Sequence, residues 1–176
     1  MRAASITLAC CICALAFAAD RASAGNRDET FVGRASTAVV QGRVLELVNE
    51  ARARGGHCGQ ERFAATTPLE ASTLLDEAAR RHARDMARHR YFSHRGRDGS
   101  EPKQRLSRLG YRSRLTGENI AYGPESAEEV VAGWLASPGH CANIMEPRIR
   151  EMGIGFAVDG SRGAIYWVQT LAWPKS

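Results

Sequence analysis

The sequence predicts an α+β domain with layered packing. Two observations carry this. Apolar residues recur at helical spacing through most of the chain, and the final part alternates at the period of a strand. Helices followed by a terminal hairpin argue for helical layers packed on a small antiparallel sheet.

The elements follow in order. Val44, Leu45, Leu47, Val48 and Ala51 place a first helix over about residues 40–54, ended by Gly55-Gly56. Residues 25–39 are polar and aperiodic, and they are expected to be a flexible lead-in. The strongest helix runs from about Leu69 to His89. Leu75, Ala78, Ala79, His82, Ala83, Met86 and Ala87 share one face, with arginines opposite. A Gly- and Arg-rich loop follows over 95–100, then a short helix near 102–109 stopped by Gly110. Ser126, with Glu129 three residues on, is a capping-box pattern for a helix that buries Val130, Val131, Trp134 and Leu135. Pro138-Gly139 is expected to break it. Residues 152–158 and 164–171 alternate around a Gly-containing loop, a hairpin pattern. Such a hairpin needs a third strand, expected over about 112–122.

The amino terminus reads as an export signal. Arg2 precedes an apolar run from Ala3 to Ala19, and Ala22-Ser23-Ala24 is a small-x-small cleavage site. Residues 1–24 are therefore assigned to a signal peptide, with a retained anchor as the competing reading, and 40–176 to the folded domain. The run is short for a membrane span, and no transmembrane segment is expected once the signal is removed. A secreted or periplasmic destination follows. Removal of Cys10, Cys11 and Cys13 leaves Cys58 and Cys141, an even pair in an exported chain, which favours a disulfide over two buried thiols. A loop of 83 residues closed in this way contributes about 4–5 kcal/mol in the chain-entropy model.

Removing Arg2, Arg21 and Asp20 with the signal leaves a net charge of +4. No run of five like charges is present, so a solvated surface is favoured over a polyanion-binding one. Arg80, Arg81, Arg84 and Arg88 form a basic helical face interrupted by Asp76, Glu77 and Asp85. Export and the lack of basic-aromatic interleaving argue against nucleic acid.

Chemistry concentrates between Gly117 and Pro147, where Glu118, His140 and Cys141 fall close together. His94 and His140 occupy loop-like contexts beside Ser and Gly, where histidines tend to be functional. His82 lies on an apolar helix face and is expected to be a hydrogen-bonded core residue. His57 and His89 read as surface residues. Glu118 either orients the imidazoles or satisfies backbone N–H groups in a turn. Glu128 and Glu129 suit a helix start. Neither Ser93 nor Ser137 sits in a GxSxG elbow. The Cys141 thiol competes with the disulfide reading, which is stronger.

HARDM (82–86), FSH (92–94), GENIAYG (117–123), EEVVAGWLASPGH (128–140), ANIM (142–145), GIGFA (153–157) and YWVQTLA (166–172) resemble the CAP superfamily. This is the cysteine-rich secretory, antigen 5 and pathogenesis-related-1 group, here in its bacterial SCP-domain form. The resemblance spans about Val44 to Trp173. It implies an α-β-α sandwich and a cleft of two His and two Glu that binds a divalent metal in some members. His94, Glu118 and His140 match three of the four; the fourth position is Ser137. Zinc through three ligands and water is the cofactor this implies.

The expectation is a monomeric, secreted ligand-binding module that uses a His94-Glu118-His140 cleft for a lipid, a sterol or a cell-envelope polymer. The alternative is a metal-assisted hydrolase, with His94 and His140 as ligands and Glu118 as base or orienter. An exported domain with a vestigial cleft is the bland third reading.

Overall fold

The computed structural model describes the backbone of residues 28–175 and the side chains of residues 37–175; the expected signal, 1–24, lies outside the described residues. One layer holds α1 (Asp28–Arg54), α4 (Ala127–Ala136) and α5 (Pro138–Met145). The opposite layer holds α2 (Thr73–His89) and α3 (Pro102–Arg108). Between them lies a sheet of β3 (Glu70–Ala71), β4 (Ser113–Tyr122), β5 (Glu151–Val158) and β6 (Ile165–Pro174), in the order β3-β5-β6-β4. A separate hairpin pairs β1 (Gly56–Cys58) with β2 (Glu61–Phe63).

The alternation of the strands builds the sandwich. Met152, Ile154, Trp167 and Leu171 pack with Val44 and Val48 of α1, Trp134 of α4 and Ile144 of α5. The intervening positions Tyr166 and Val168 face Ala79, Ala83 and Met86 of α2. Gly153 and Gly155 are on this second face, and the α2 backbone lies directly on them. A Cβ at Gly155 would meet the Arg80 backbone nitrogen at 2.1 Å, and one at Gly153 would meet that of Asp76 at 2.1 Å. Asp76 also accepts from the Ile154 N–H at 2.7 Å, fixing the first turn of α2 to β5.

The buried face of α2 is Leu75, Ala78, Ala79, His82, Ala83, Met86 and Ala87, as its periodicity predicts. The third strand falls where expected, and β4 pairs antiparallel with β6. Cys58 and Cys141 form the disulfide, joining β1 to α5 with their Cα atoms 5.4 Å apart.

Four details differ from the sequence reading. Helix α1 begins at Asp28, so much of the expected lead-in is helical; that stretch has no proline and only Gly33 to weaken a helix. Residues 69–72 are extended and not the start of α2. Asn49 explains this, because its amide both donates to the Leu69 carbonyl and accepts from the Leu69 N–H. The segment then joins β5 in parallel, which makes the sheet mixed. Pro138 ends α4 and also opens α5, since proline suits a first helical position as well as it breaks an interior. His140 is therefore helical, not in a loop. Finally, Ser126 accepts from the Glu129 N–H at 3.2 Å, but the Glu129 carboxylate reaches back to Glu125 and not to Ser126, so the capping box is only half made.

One core residue was not foreseen. Arg52, on the inner face of α1, is fully buried. It donates to the carbonyls of Thr67, Ile144, Glu146 and Ile149, clamping the end of α5. Burial pulls its guanidinium down to about 10.

Candidate functional site

Glu118 sits near the middle of β4, one of the two edge strands of the sheet. Successive residues of a strand point to opposite faces. Glu118 therefore shares the α2 side with Ile120, while Asn119 faces α5. The two layers meet at this edge, and each contributes a histidine.

Glu118 is buried, and a lone buried carboxylate would be costly. Its oxygens are both engaged. Oε1 accepts from His94 Nδ1 at 2.9 Å, and Oε2 accepts from Arg105 Nη2 at 2.5 Å. A third cationic candidate, His82 Nε2, stands 4.0 Å from Oε1. Arg105 comes from α3 and does more than pair the carboxylate. Its Nη1 donates to the carbonyls of His94 at 3.0 Å and Ser100 at 2.8 Å, so one guanidinium ties the 94–100 loop to β4.

These bonds assign the imidazole protons. Because Ser93 offers a carbonyl, His82 Nε2 must donate to it, at 2.9 Å. Burial lowers the His82 pKa, the Arg105 charge adds to this, and Glu118 opposes it. His94 donates through Nδ1 to Glu118, which leaves Nε2 on the side of the ring away from the carboxylate. Its side chain is 48% exposed, so that nitrogen is available to a ligand.

His140 approaches from the first turn of α5. The Asn119 amide donates to its carbonyl at 3.1 Å and to Gln169 Oε1 at 2.8 Å, while Asn119 Oδ1 accepts from Asn143 at 2.9 Å. Asn143 also reaches the Glu118 carbonyl at 3.3 Å. This amide network crosses the sheet edge and holds α5 in register with β4. The His140 ring makes no hydrogen bond to a described residue. Burial lowers its pKa, and the neighbouring His94 lowers it further.

Thus His94 and Glu118 are in direct contact, and His140 lies near enough to His94 for the two rings to interact electrostatically. Ser137 is the hinge residue between α4 and α5, its carbonyl accepting from the Cys141 N–H at 2.8 Å. Cys141 is held in the disulfide and is no nucleophile. His82 is a core residue, as predicted, but it also contacts the site. Arg105, Asn119, Asn143 and Gln169 were missed. The one signal for Arg105 was indirect: a buried carboxylate needs a cation.

The donor set does not fit a divalent metal. The only carboxylate has a guanidinium on one oxygen and an imidazole N–H on the other. Among the described residues, no three His, Cys, Asp or Glu side chains converge as a metal-binding group. What the arrangement offers is two neighbouring imidazoles, one oriented from behind by Glu118, able to hydrogen-bond a ligand. An aromatic rim lies close by. Phe92 is 51% exposed and Tyr122 42% exposed, with ring centroids 6.4 Å apart, and Tyr122 packs against Tyr166 with the rings tilted and their centroids 4.7 Å apart.

Comparison with known proteins gives consistent relatives. The profile of the Cysteine-rich secretory protein family matches residues 45–171. An uncharacterized protein of Bacillus subtilis, YkwD, is 31% identical over 140 residues, covering 80% of this chain and 51% of its own length. The chain therefore spans about half of that relative. An extracellular SCP-domain protein of Bacillus anthracis superposes with a TM-score of 0.65 at 24% identity, over 77% of this chain and 40% of that one. An outer surface protein of Borrelia burgdorferi superposes with a TM-score of 0.64 at 20% identity, over 81% of this chain and 95% of that one. At these identities the two structures establish the fold alone. No helix among the described residues is long and apolar enough to cross a membrane.

Proposed function

Since the chain belongs to the cysteine-rich secretory protein family, we propose that it is an exported ligand-binding module whose ligand is amphipathic, a lipid or sterol-like molecule of an envelope. Its polar group sits on His94 and His140, and its apolar part lies on Phe92 and Tyr122. Along β4, Tyr122 is four residues from Glu118, about 13 Å. That separation suits a molecule with a polar head and an apolar body.

The observation that carries this reading is the state of Glu118. A general base or a metal ligand needs a free oxygen, and both oxygens of Glu118 are occupied by His94 and Arg105. Its role is to orient His94 and hold the loop. Cys141, the one thiol next to a site histidine in sequence, is held in a disulfide and is not available as a nucleophile. Export is supported by the signal-like residues 1–24 and by the disulfide.

Binding to lipid, sterol and cell-wall fractions, measured for the wild type, for His94→Ala/His140→Ala and for Phe92→Ala/Tyr122→Ala, tests the reading. Both double variants should lose binding to the same class while unfolding like the wild type. If no class binds, or if binding survives both changes, the reading is wrong.

A further inference from the structure

A second concavity shares no residue with the histidine site. It lies between the carboxyl end of α2 and the loop joining β5 to β6, encloses about 680 Å³ and is lined by Arg84, Arg88, Arg90, Val158, Asp159 and Ser161 among others. Arg162 flanks it on the same loop. We propose that this groove binds a linear phosphate polymer, one extended chain seated between Arg84 and Arg88 on one wall and the 158–162 loop on the other.

Three observations converge on the groove. Arg84 and Arg88 are exposed, one helical turn apart, and neither makes a hydrogen bond or ion pair to a described residue. By contrast Arg80 and Arg81 on the same helix are both paired with Glu77. Like charges one turn apart repel when nothing lies between them. The helix dipole accounts for a cation in the last turn, such as Arg88, but not for Arg84 a turn earlier or Arg162 off the helix.

Arg90 closes α2 in the left-handed conformation, with φ 55° and ψ 48°. It is the only described residue other than glycine with positive φ. Glycine fits this position without strain, so a side chain here is kept against a local cost. That side chain lines the groove.

The acid nearby is already committed. Asp159 Oδ1 accepts from the Ser161 N–H at 2.9 Å and the Ser161 hydroxyl at 2.8 Å. These bonds hold its carboxyl below the usual range, with smaller contributions from the Arg90 and Arg162 charges. Asp159 shapes the loop and offsets only one of four guanidinium charges.

Arginine forks match phosphate oxygens in pairs. An array of forks along a groove meets successive charges on a chain better than one small anion. The lining has no aromatic ring and no side-chain amide, the groups that recognise sugar faces and hydroxyls, so a bare phosphate chain fits better than an acidic glycan. A concave wall also fits a chain better than a flat bilayer.

The probe is inorganic polyphosphate, titrated into the purified protein and followed by anisotropy. Binding should weaken with salt at a log-log slope of about −2 to −3, the counterion release of three or four contacts. Arg84→Ala/Arg88→Ala should lower affinity at least tenfold, taking about fivefold per arginine. Arg90→Gly should lower affinity about fivefold while raising Tm, a combination a purely structural Arg90 cannot give. Orthophosphate at equal phosphate should not compete. The proposal is overturned if polyphosphate does not bind, if the double variant binds as the wild type, or if Arg90→Gly lowers Tm. It is equally overturned if a polyuronate of matched length binds as well as polyphosphate, or if phosphatidylglycerol vesicles bind and the polymer does not.

Discussion

Arg105 and Glu118 form the pivot of the site: Nη2 lies 2.5 Å from Oε2, with the arginine side chain 11% and the glutamate side chain 3% exposed. The same guanidinium also holds the His94 and Ser100 carbonyls. The position of His94 is thus set twice, once through its ring by Glu118 and once through its backbone by Arg105. The site is organised around a charge pair that no ligand need touch.

Removing one partner of such a pair leaves the other buried and unpaired. Arg105→Ala should cost about 3–5 kcal/mol in urea unfolding. Glu118→Gln keeps the shape and an acceptor for His94, so it should cost less. Equal losses for the two changes would show that the charge pair carries the whole effect, whereas a loss confined to Arg105→Ala would assign it to the loop carbonyls.

The GIGFA stretch makes a packing prediction. Gly155→Ala places a Cβ 2.1 Å from the Arg80 nitrogen, and a helix backbone cannot yield as a flexible side chain can. A loss of about 3 kcal/mol is expected, at the upper end of overpacking. Gly133→Ala is the control. Its Cβ would meet nothing within 4 Å in the middle of α4, so it should stabilise by about 0.5–1 kcal/mol. A tolerated Gly155→Ala would mean that α2 is not seated on β5 as described.

Local rules explain what could be read in advance. The face of α2 depends only on a 3.6-residue period, and all seven of its buried residues follow from it. The disulfide was legible because only Cys58 and Cys141 remain once the signal-like residues 1–24 are set aside. Proline was ambiguous, because the residue that ends one helix can begin the next, and this misplaced His140 in a loop. Arg105 looked like one more surface arginine. Only the burial of Glu118, a tertiary fact, demands it. The amides of Asn119, Asn143 and Gln169 were silent for the same reason. Their partners lie 24 and 50 residues apart in sequence.

The disulfide has a separate test. Mass spectrometry before and after reduction should show one bridge between the Cys58 and Cys141 peptides. Reduction, or Cys58→Ser/Cys141→Ser, should lower stability by up to about 4–5 kcal/mol, the loop-closure term for a separation of 83 residues. Because the bridge anchors α5, His140 should become more mobile, and ligand affinity at the histidine site should fall more than stability alone predicts. Unchanged affinity in a folded, reduced protein would separate the bridge from the site.

Stability should also depend on pH through the histidines. Burial holds both His82 and His140 below the ordinary value of 6.5 in the folded protein. Between the folded value and 6.5 the unfolded chain binds more protons than the native one, so stability rises with pH across that window and levels off above it. Acidifying from about pH 7.5 to about 5.5 should therefore lower Tm, with a slope of up to about 1.4 kcal/mol per pH unit for each proton. His82 faces Glu118, Arg105 and Asp85, and protonation would place its charge beside a guanidinium in a buried site. His82→Gln can still donate to the Ser93 carbonyl and does not titrate. It should flatten the slope, and adding His140→Gln should flatten it further. Parallel slopes in wild type and double variant would assign the pH dependence to other groups and refute the lowering ascribed to the two rings.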